Sequence, residues 1–280
     1  MGHLQQELNV SIGTVFFTIT VINLIRYVLI AGIVYLILWI FLKDKLYFRR
    51  IQKRDPKKED YLREIFYSLS TIIIFGIVGV IVYYLRINGY TKIYSDVNEY
   101  GWGYFWFSVI ALIFLHDTYF YWTHRWMHHP KIFKYVHLVH HKSNNPTPFA
   151  AYSFHPLEAV VEAGIIPLAV LIMPVHSGAL FIFITFSFIM NVLGHSGYEI
   201  YFKGFTKHPL TWWNNTSTHH NMHHKYVNWN FGLYFNLWDR IMGTNHPKYF
   251  EFYDEITNIP LINKNKQSIE SSKLNIITSK

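Results

Sequence analysis

An all-α fold that crosses a membrane about four times, in two hairpins, with a histidine-rich helical cap on the cytoplasmic side, is predicted by three features of this 280-residue chain. Composition is the first: 51% of residues are hydrophobic, 19% aromatic and 15% charged, too few charges for a soluble protein of this size. A series of apolar stretches near the ~20 residues that span a bilayer is the second. The third is the separation of basic residues, concentrated in one early loop, from histidines, 15 of which among 17 lie between positions 116 and 224.

The apolar stretches follow in order. Residues 10–42 are apolar except for Asn23 and Arg26, and as a helix would be about 50 Å long, more than one straight crossing needs. Residues 27–42 are therefore expected to form the core of the first crossing, with the part before Arg26 an extension or interfacial helix. Residues 65–85 form the second crossing. Residues 104–121 form the third, running directly into the first histidines. Residues 157–173 and 178–193 read as a hairpin broken at Pro174, Val175, His176 and Ser177. The first nine residues lack a basic start and a cleavage site, so no signal peptide is expected.

Orientation comes from the loops. Residues 43–58 hold eight Lys or Arg against two Asp, which assigns that loop to the cytoplasm. Counting crossings from there brings His124 and His195 back to the same side. The net charge of +8 then faces anionic headgroups, and nucleic acid is not an expected partner. Zero cysteines exclude disulfides, thiolate metal sites and a cysteine nucleophile. Residues 1–262 are expected to form one domain with its catalytic region at 104–247. Residues 263–280 read as a polar, disordered tail.

Three histidine boxes carry the chemistry: His124 with His128 and His129; His137 with His140 and His141; His219 and His220 with His223 and His224. Spacings of three and four put imidazoles on one helical face, as two ligands of one metal require. Counting one or two pairs from each box together with His195 gives nine or ten candidate ligands, enough for two metals and too many for one. Imidazole accepts iron, zinc, copper and nickel, so ligand type alone does not choose among them. A structural zinc site uses four ligands, and the His-Glu-x-x-His zinc-peptidase signature is absent. The isolated His3, His176, His208 and His246 are expected to be solvated or simply hydrogen bonded.

At these residues the chain resembles the fatty acid hydroxylase and sterol desaturase superfamily of membrane di-iron enzymes. The matching segments are YWTHRWMHH at 121–129, HLVHHKSNNP at 137–146, TPFAAYSFHPLE at 147–158, HHNMHH at 219–224 and NFGLYFNLWDRIMGT at 230–244. The TPF and FHP pieces are most similar to the sterol C5-desaturase branch. The resemblance implies two non-haem iron ions as cofactors, with His124, His128, His137, His140, His141, His195, His220, His223 and His224 as ligands and His219 as a tenth. His129 and His155 sit in the matching segments and are expected to support the ligands from behind. Ligating imidazoles give their other N–H to an acceptor, and Asp117, Glu158 and Asp239 are the acidic residues placed for that. Glu199, four residues past His195, is read as a carboxylate ligand or a hydrogen-bond acceptor, and His116, where relatives do not consistently place histidine, as a support behind the cluster. Asn230 and Gly232 are expected to set a tight turn beneath the third box.

The implied activity is an O2-dependent oxidoreductase reaction, hydroxylation or desaturation of a sterol-like or fatty acyl lipid. No haem-binding His-Pro-Gly-Gly segment occurs, so electrons would come from a separate cytochrome b5-like or ferredoxin-like protein. The competing reading is a membrane metal-binding or transport protein. Transport predicts ionisable groups along the crossings, and there only Arg26, Glu158 and Glu162 stand out.

Overall fold

The computed structural model describes residues 10–258, so the expected absence of a signal peptide at the start and the expected disordered tail both fall outside the described residues. The chain folds into long helices capped at one end by short helices and loops. Among the described residues, four helices are long and apolar enough to cross a membrane. α1 is Ile12–Tyr35, prolonged by a π-helical turn at Leu36–Phe41. α2 is Lys58–Ile87, started by Glu59 and Asp60, with the Asp60 carboxylate accepting from the Lys57 N–H. α3 is Gly101–Met127 and α8, the fourth, is Ser177–Gly194. Phe17, Phe66 and Phe107 point outward, exposed as a lipid-facing surface demands.

α1 and α2 pack against each other where Gly76 and Gly79 present no side chain. A Cβ at Gly79 would come within 2.7 Å of Ile19, and one at Gly76 would strike Thr20 and Phe16. Small residues of this kind let two membrane helices approach closely.

Two expectations change here. α1 is continuous through Arg26, which lies near its middle and is buried. Its guanidinium donates to Asn23 Oδ1 at 2.8 Å and rests over the Phe181 ring. Arg26 marks no boundary because a neighbouring side chain and an aromatic face, not water, satisfy it. The stretch 157–173 is also no continuous crossing. It forms two eight-residue helices, α6 Pro156–Ala163 and α7 Ile165–Ile172. The Tyr119 hydroxyl inserts at the break and donates to Val161 O at 2.7 Å, in space left open by Gly164. Pro167 lacks the N–H that would continue the ladder from α6.

The return into α8 begins at Val175–His176, which pairs in parallel with Ile93–Tyr94 as a two-residue sheet. His176 caps α8 by accepting from Gly178 N, one of the isolated histidines in a plain structural role.

The cap is built from α4 Pro130–Val136, α5 Leu138–His141, α9 Ser217–Tyr226 and α10 Leu237–Ile241 with their loops. The basic loop 43–58 lies directly on it. Ile51 N donates to Gly197 O, Glu199 N to Arg49 O, and Gln52 Nε2 to both Asn144 O and Asn221 Oδ1. Trp39, in the π-helical turn, donates to Ser196 O at 2.8 Å and stacks edge-on against Tyr198. Basic loop and histidine boxes thus share one end of the bundle.

Candidate metal centre

Nine imidazoles from four segments meet where α3 and α8 end under the cap. His124, His128, His137, His141 and His223 form one group, His140, His195, His220 and His224 the other. Within each group the candidate ligand nitrogens lie within 4.8 Å of one another. Every one of these rings is at least nine-tenths shielded from solvent.

Backbone carbonyls orient the rings. A carbonyl can only accept, so each Nδ1 facing one must carry the proton. His124 Nδ1 donates to Phe231 O at 2.9 Å, His223 to Trp229 O at 2.7 Å, His195 to Asn191 O at 2.8 Å and His140 to Ser153 O at 3.3 Å. His137 Nδ1 faces the Glu158 carboxylate at 2.7 Å. In these five neutral rings Nε2 is the lone-pair nitrogen, and the Nε2 atoms converge. Separations are 3.0 Å for His124–His137 and 3.3 Å for His140–His195. His195–His220 is 3.0 Å and His141–His223 is 3.0 Å. Lone pairs aimed at one another across 3 Å repel unless a cation lies between them. This donor set therefore fits two metal ions, each surrounded by neutral imidazoles. Five of these have their second nitrogen already bonded, while the buried Nδ1 atoms of His128, His141 and His224 have no hydrogen-bond partner among the described residues.

The protonation chemistry agrees. Burial first, then the neighbouring imidazoles, hold His137, His140, His220, His223 and His224 well below the ordinary histidine range. Burial lowers His195 to about 4 and His141 to about 3. Neutral imidazole is the form that ligates a metal.

The remaining residues fall elsewhere. His219 joins neither group: its Nε2 lies 3.3 Å from Asp239 Oδ2. The position beside His220 rotates its ring away from the others around α9. Asp239 also accepts from Phe231 N, Gly232 N and the Thr244 hydroxyl. Burial would raise this carboxyl, yet the His219 contact and these N–H and O–H donors leave it below its ordinary range. Asp239 thereby clamps the loop whose Phe231 carbonyl orients His124.

Asp117 does the same one layer down, accepting from Tyr234 N and Phe235 N rather than from any imidazole. Glu199 accepts from Tyr201 N and Thr218 N, so it caps the start of α9 and is an acceptor, not a ligand. His129 and His155 are N-caps of α4 and α6, accepting from Lys131 N and Leu157 N, not supports of the cluster. His116 lies two turns below His124, with Nδ1 2.7 Å from the Tyr234 hydroxyl.

Asn230 and Gly232 make the expected turn. Asn230 has φ +62°, and its side chain donates to His219 O and accepts from His246 N. A Cβ at Gly232 would meet Phe235 O at 2.7 Å. The residues that sequence reasoning missed are Phe231, Trp229, Ser153 and Asn191, which act through carbonyls that every residue type carries.

Beneath the imidazoles lies an apolar cavity of about 270 Å³ between α1, α2, α3 and α6–α8. Phe120 and Phe154 form its upper wall and pack on His124 and His140 at ring separations of 4.8 and 5.2 Å. Asn191 lies one turn before His195 and Leu180 about four, so the cavity starts about 6 Å below the cluster and descends to about 22 Å.

Membrane helices, a double imidazole nest that could hold metal and an apolar cavity that ends at it define a helical membrane protein of the histidine-box class. Residues 109–244 match the fatty acid hydroxylase family. Similar curated proteins include lathosterol oxidase of Mus musculus, 32% identical over 69% of this chain and 64% of that protein. Lathosterol oxidase of Homo sapiens is 30% identical over 76% of this chain and 71% of its own length. A Delta(7)-sterol 5(6)-desaturase of Candida glabrata is 31% identical over 81% and 58%. The chain thus spans roughly two thirds of the length of these relatives. No solved structure matches it significantly. The chain belongs to the fatty acid hydroxylase family, in its sterol desaturase-like branch, and is an integral membrane protein.

Proposed function

We propose that the protein is a membrane-bound, O2-dependent lipid oxidoreductase that uses two non-haem iron ions and acts on a sterol-type lipid. The observation that carries this reading is the convergence of nine Nε2 atoms, in groups of five and four, at the closed end of a cavity embedded among membrane helices. His124, His128, His137, His141 and His223 would hold one ion, and His140, His195, His220 and His224 the other. His219 is assigned to Asp239 instead. The ions would supply oxygen activation and the oxidising power to remove hydrogen from an unactivated carbon. The chain supplies the rest: Glu158 and four carbonyls fix the rings, Phe120 and Phe154 exclude water beside them, and the cavity admits hydrocarbon from the bilayer.

Electrons are assigned to a separate cytochrome b5-like or ferredoxin-like donor. It would approach the cap on the cytoplasmic side, where the basic loop lies. Metal transport is disfavoured because the imidazoles are closed in by cap loops, and the relatives above carry oxidoreductase names. The test is direct. Purified protein should contain two iron ions per chain and, with a reductant and oxygen, convert lathosterol to a more unsaturated or hydroxylated sterol. One ion or fewer per folded chain refutes the di-iron assignment.

For orientation, the native chain offers no cysteine to interfere. A cysteine at exposed Lys142 should be protected from an impermeant reagent in intact cells and one at exposed Asn98 labelled; the reverse pattern inverts the topology.

A further inference from the structure

The acidic side chains around the cap and cavity are nearly all committed. Glu158 faces His137, Glu64 accepts from Thr147, Glu199 holds the start of α9, and Asp117 and Asp239 hold the closing loop. Glu162 differs. It lines the apolar cavity, and among the described residues it forms no hydrogen bond or ion pair. An intramembrane carboxyl without a protein partner, on the wall of a ligand cavity, marks a binding group.

Its position is set by the helix. Glu162 follows Glu158 by four residues on α6, so it shares that face and lies about 6 Å farther from the cap. Glu158 is itself 2.7 Å from His137 Nδ1. Glu162 is therefore close beneath the imidazoles, while the far wall, at Ile19, Val82 and Leu180, is hydrocarbon only. Its polar companions on the wall are largely spent. Asn191 donates to Ala151 O, and His116 uses Nδ1 for the Tyr234 hydroxyl, leaving Nε2.

We infer that Glu162 is a positioning residue that accepts a hydrogen bond from a hydroxyl group of the lipid substrate. The inference rests on the lipid-oxidoreductase reading above. A hydroxyl donor at Glu162 would hold carbons a few bonds away beneath the cluster, with the hydrocarbon remainder running down toward Leu180. It favours an alcohol over a fatty acid, because a fatty acid would set a second carboxyl beside this one in an apolar wall, where the two cannot both ionise.

The experiment measures binding of three probes to the iron-loaded protein in nanodiscs: lathosterol, the same sterol lacking its 3-hydroxyl, and oleate. Wild type should bind the hydroxylated sterol at least tenfold more tightly than the deoxy compound, and oleate least well. Glu162→Leu should erase the preference between the two sterols, whereas Glu162→Gln, which keeps an acceptor oxygen, should retain much of it. Thermal midpoints of both variants report folding, and the leucine variant adds no polar group to an apolar wall. Retention of the full hydroxyl preference by Glu162→Leu overturns the proposal, as does failure of wild type to bind the sterol. Hydroxyl-selective binding lost in Glu162→Leu, but with no oxygen-dependent turnover in wild type, would uphold the anchor and sink the enzymatic reading alone.

Discussion

The two imidazole groups solve one problem with different materials. The five-membered group is tied to the closing loop and to a carboxylate. His124 and His223 bond the carbonyls of Phe231 and Trp229, and His137 faces Glu158. The four-membered group is tied to the cavity wall. His195 bonds Asn191 O, and His140 bonds Ser153 O and packs on Phe154. The first group has a carboxyl behind it and depends on loop order around Asp239. The second has dipoles only and depends on the packing of α8. The lesson is that one site can have its two halves stabilised by separate parts of the fold, and so be damaged one half at a time.

The largest break is ligand loss. His223→Ala in the first group and His140→Ala in the second should each abolish turnover, with iron content falling toward one per chain. Substantial activity in a well-folded variant of either kind would remove that residue from the ligand set. Glu158→Leu acts on one group only. Loss of the acceptor behind a metal-bound imidazole costs roughly 10–100-fold in metal affinity. A chelator titration of this variant should become biphasic, one ion lost early and the other held as in wild type. Loss of both together would mean that the groups are not independent.

Acid should separate folded from unfolded chain in the iron-free protein. His195 and His141 titrate at about 4 and about 3 in the fold, against an ordinary value of 6.5. Between those values and 6.5 the unfolded chain takes up protons that the folded chain refuses. Stability is then complete above pH 6.5 and declines as pH falls toward 4. The thermal midpoint in detergent should be lower at pH 5 than at pH 7.5, and bound iron should protect against the fall; a flat profile contradicts the buried, neutral cluster.

Smaller still is Asn230→Ala, which removes two hydrogen bonds at a residue with φ +62°. It should cost about 1–3 kcal/mol of stability and loosen His124 and His223 more than His195. At the bottom, His176→Ala loses a helix cap worth about 1 kcal/mol and should leave turnover unchanged. A loss of turnover there would extend the site to the opposite end of the bundle.

Sequence alone determined the class of fold and most of the imidazoles that cluster. Length and apolarity dictate membrane helices because a buried backbone in lipid must satisfy itself. Doubled histidines at spacings of three and four dictate imidazoles on shared helical faces. The cluster of basic residues in loop 43–58 and the ends of α3 and α8 already implied one shared end of the molecule. The tertiary structure decided what those signals leave open. Which imidazole joins which group depends on rings from four segments meeting in space, and His219 falls outside because one residue of helical rotation turns it toward Asp239. Arg26 reads as a boundary in a string of letters and is an interior residue once Asn23 and Phe181 surround it. The broken crossing at Gly164 needs Tyr119 from another helix. The acceptors that set the tautomers are peptide carbonyls, identical at every position, and only their placement distinguishes Phe231 or Asn191 from any other residue.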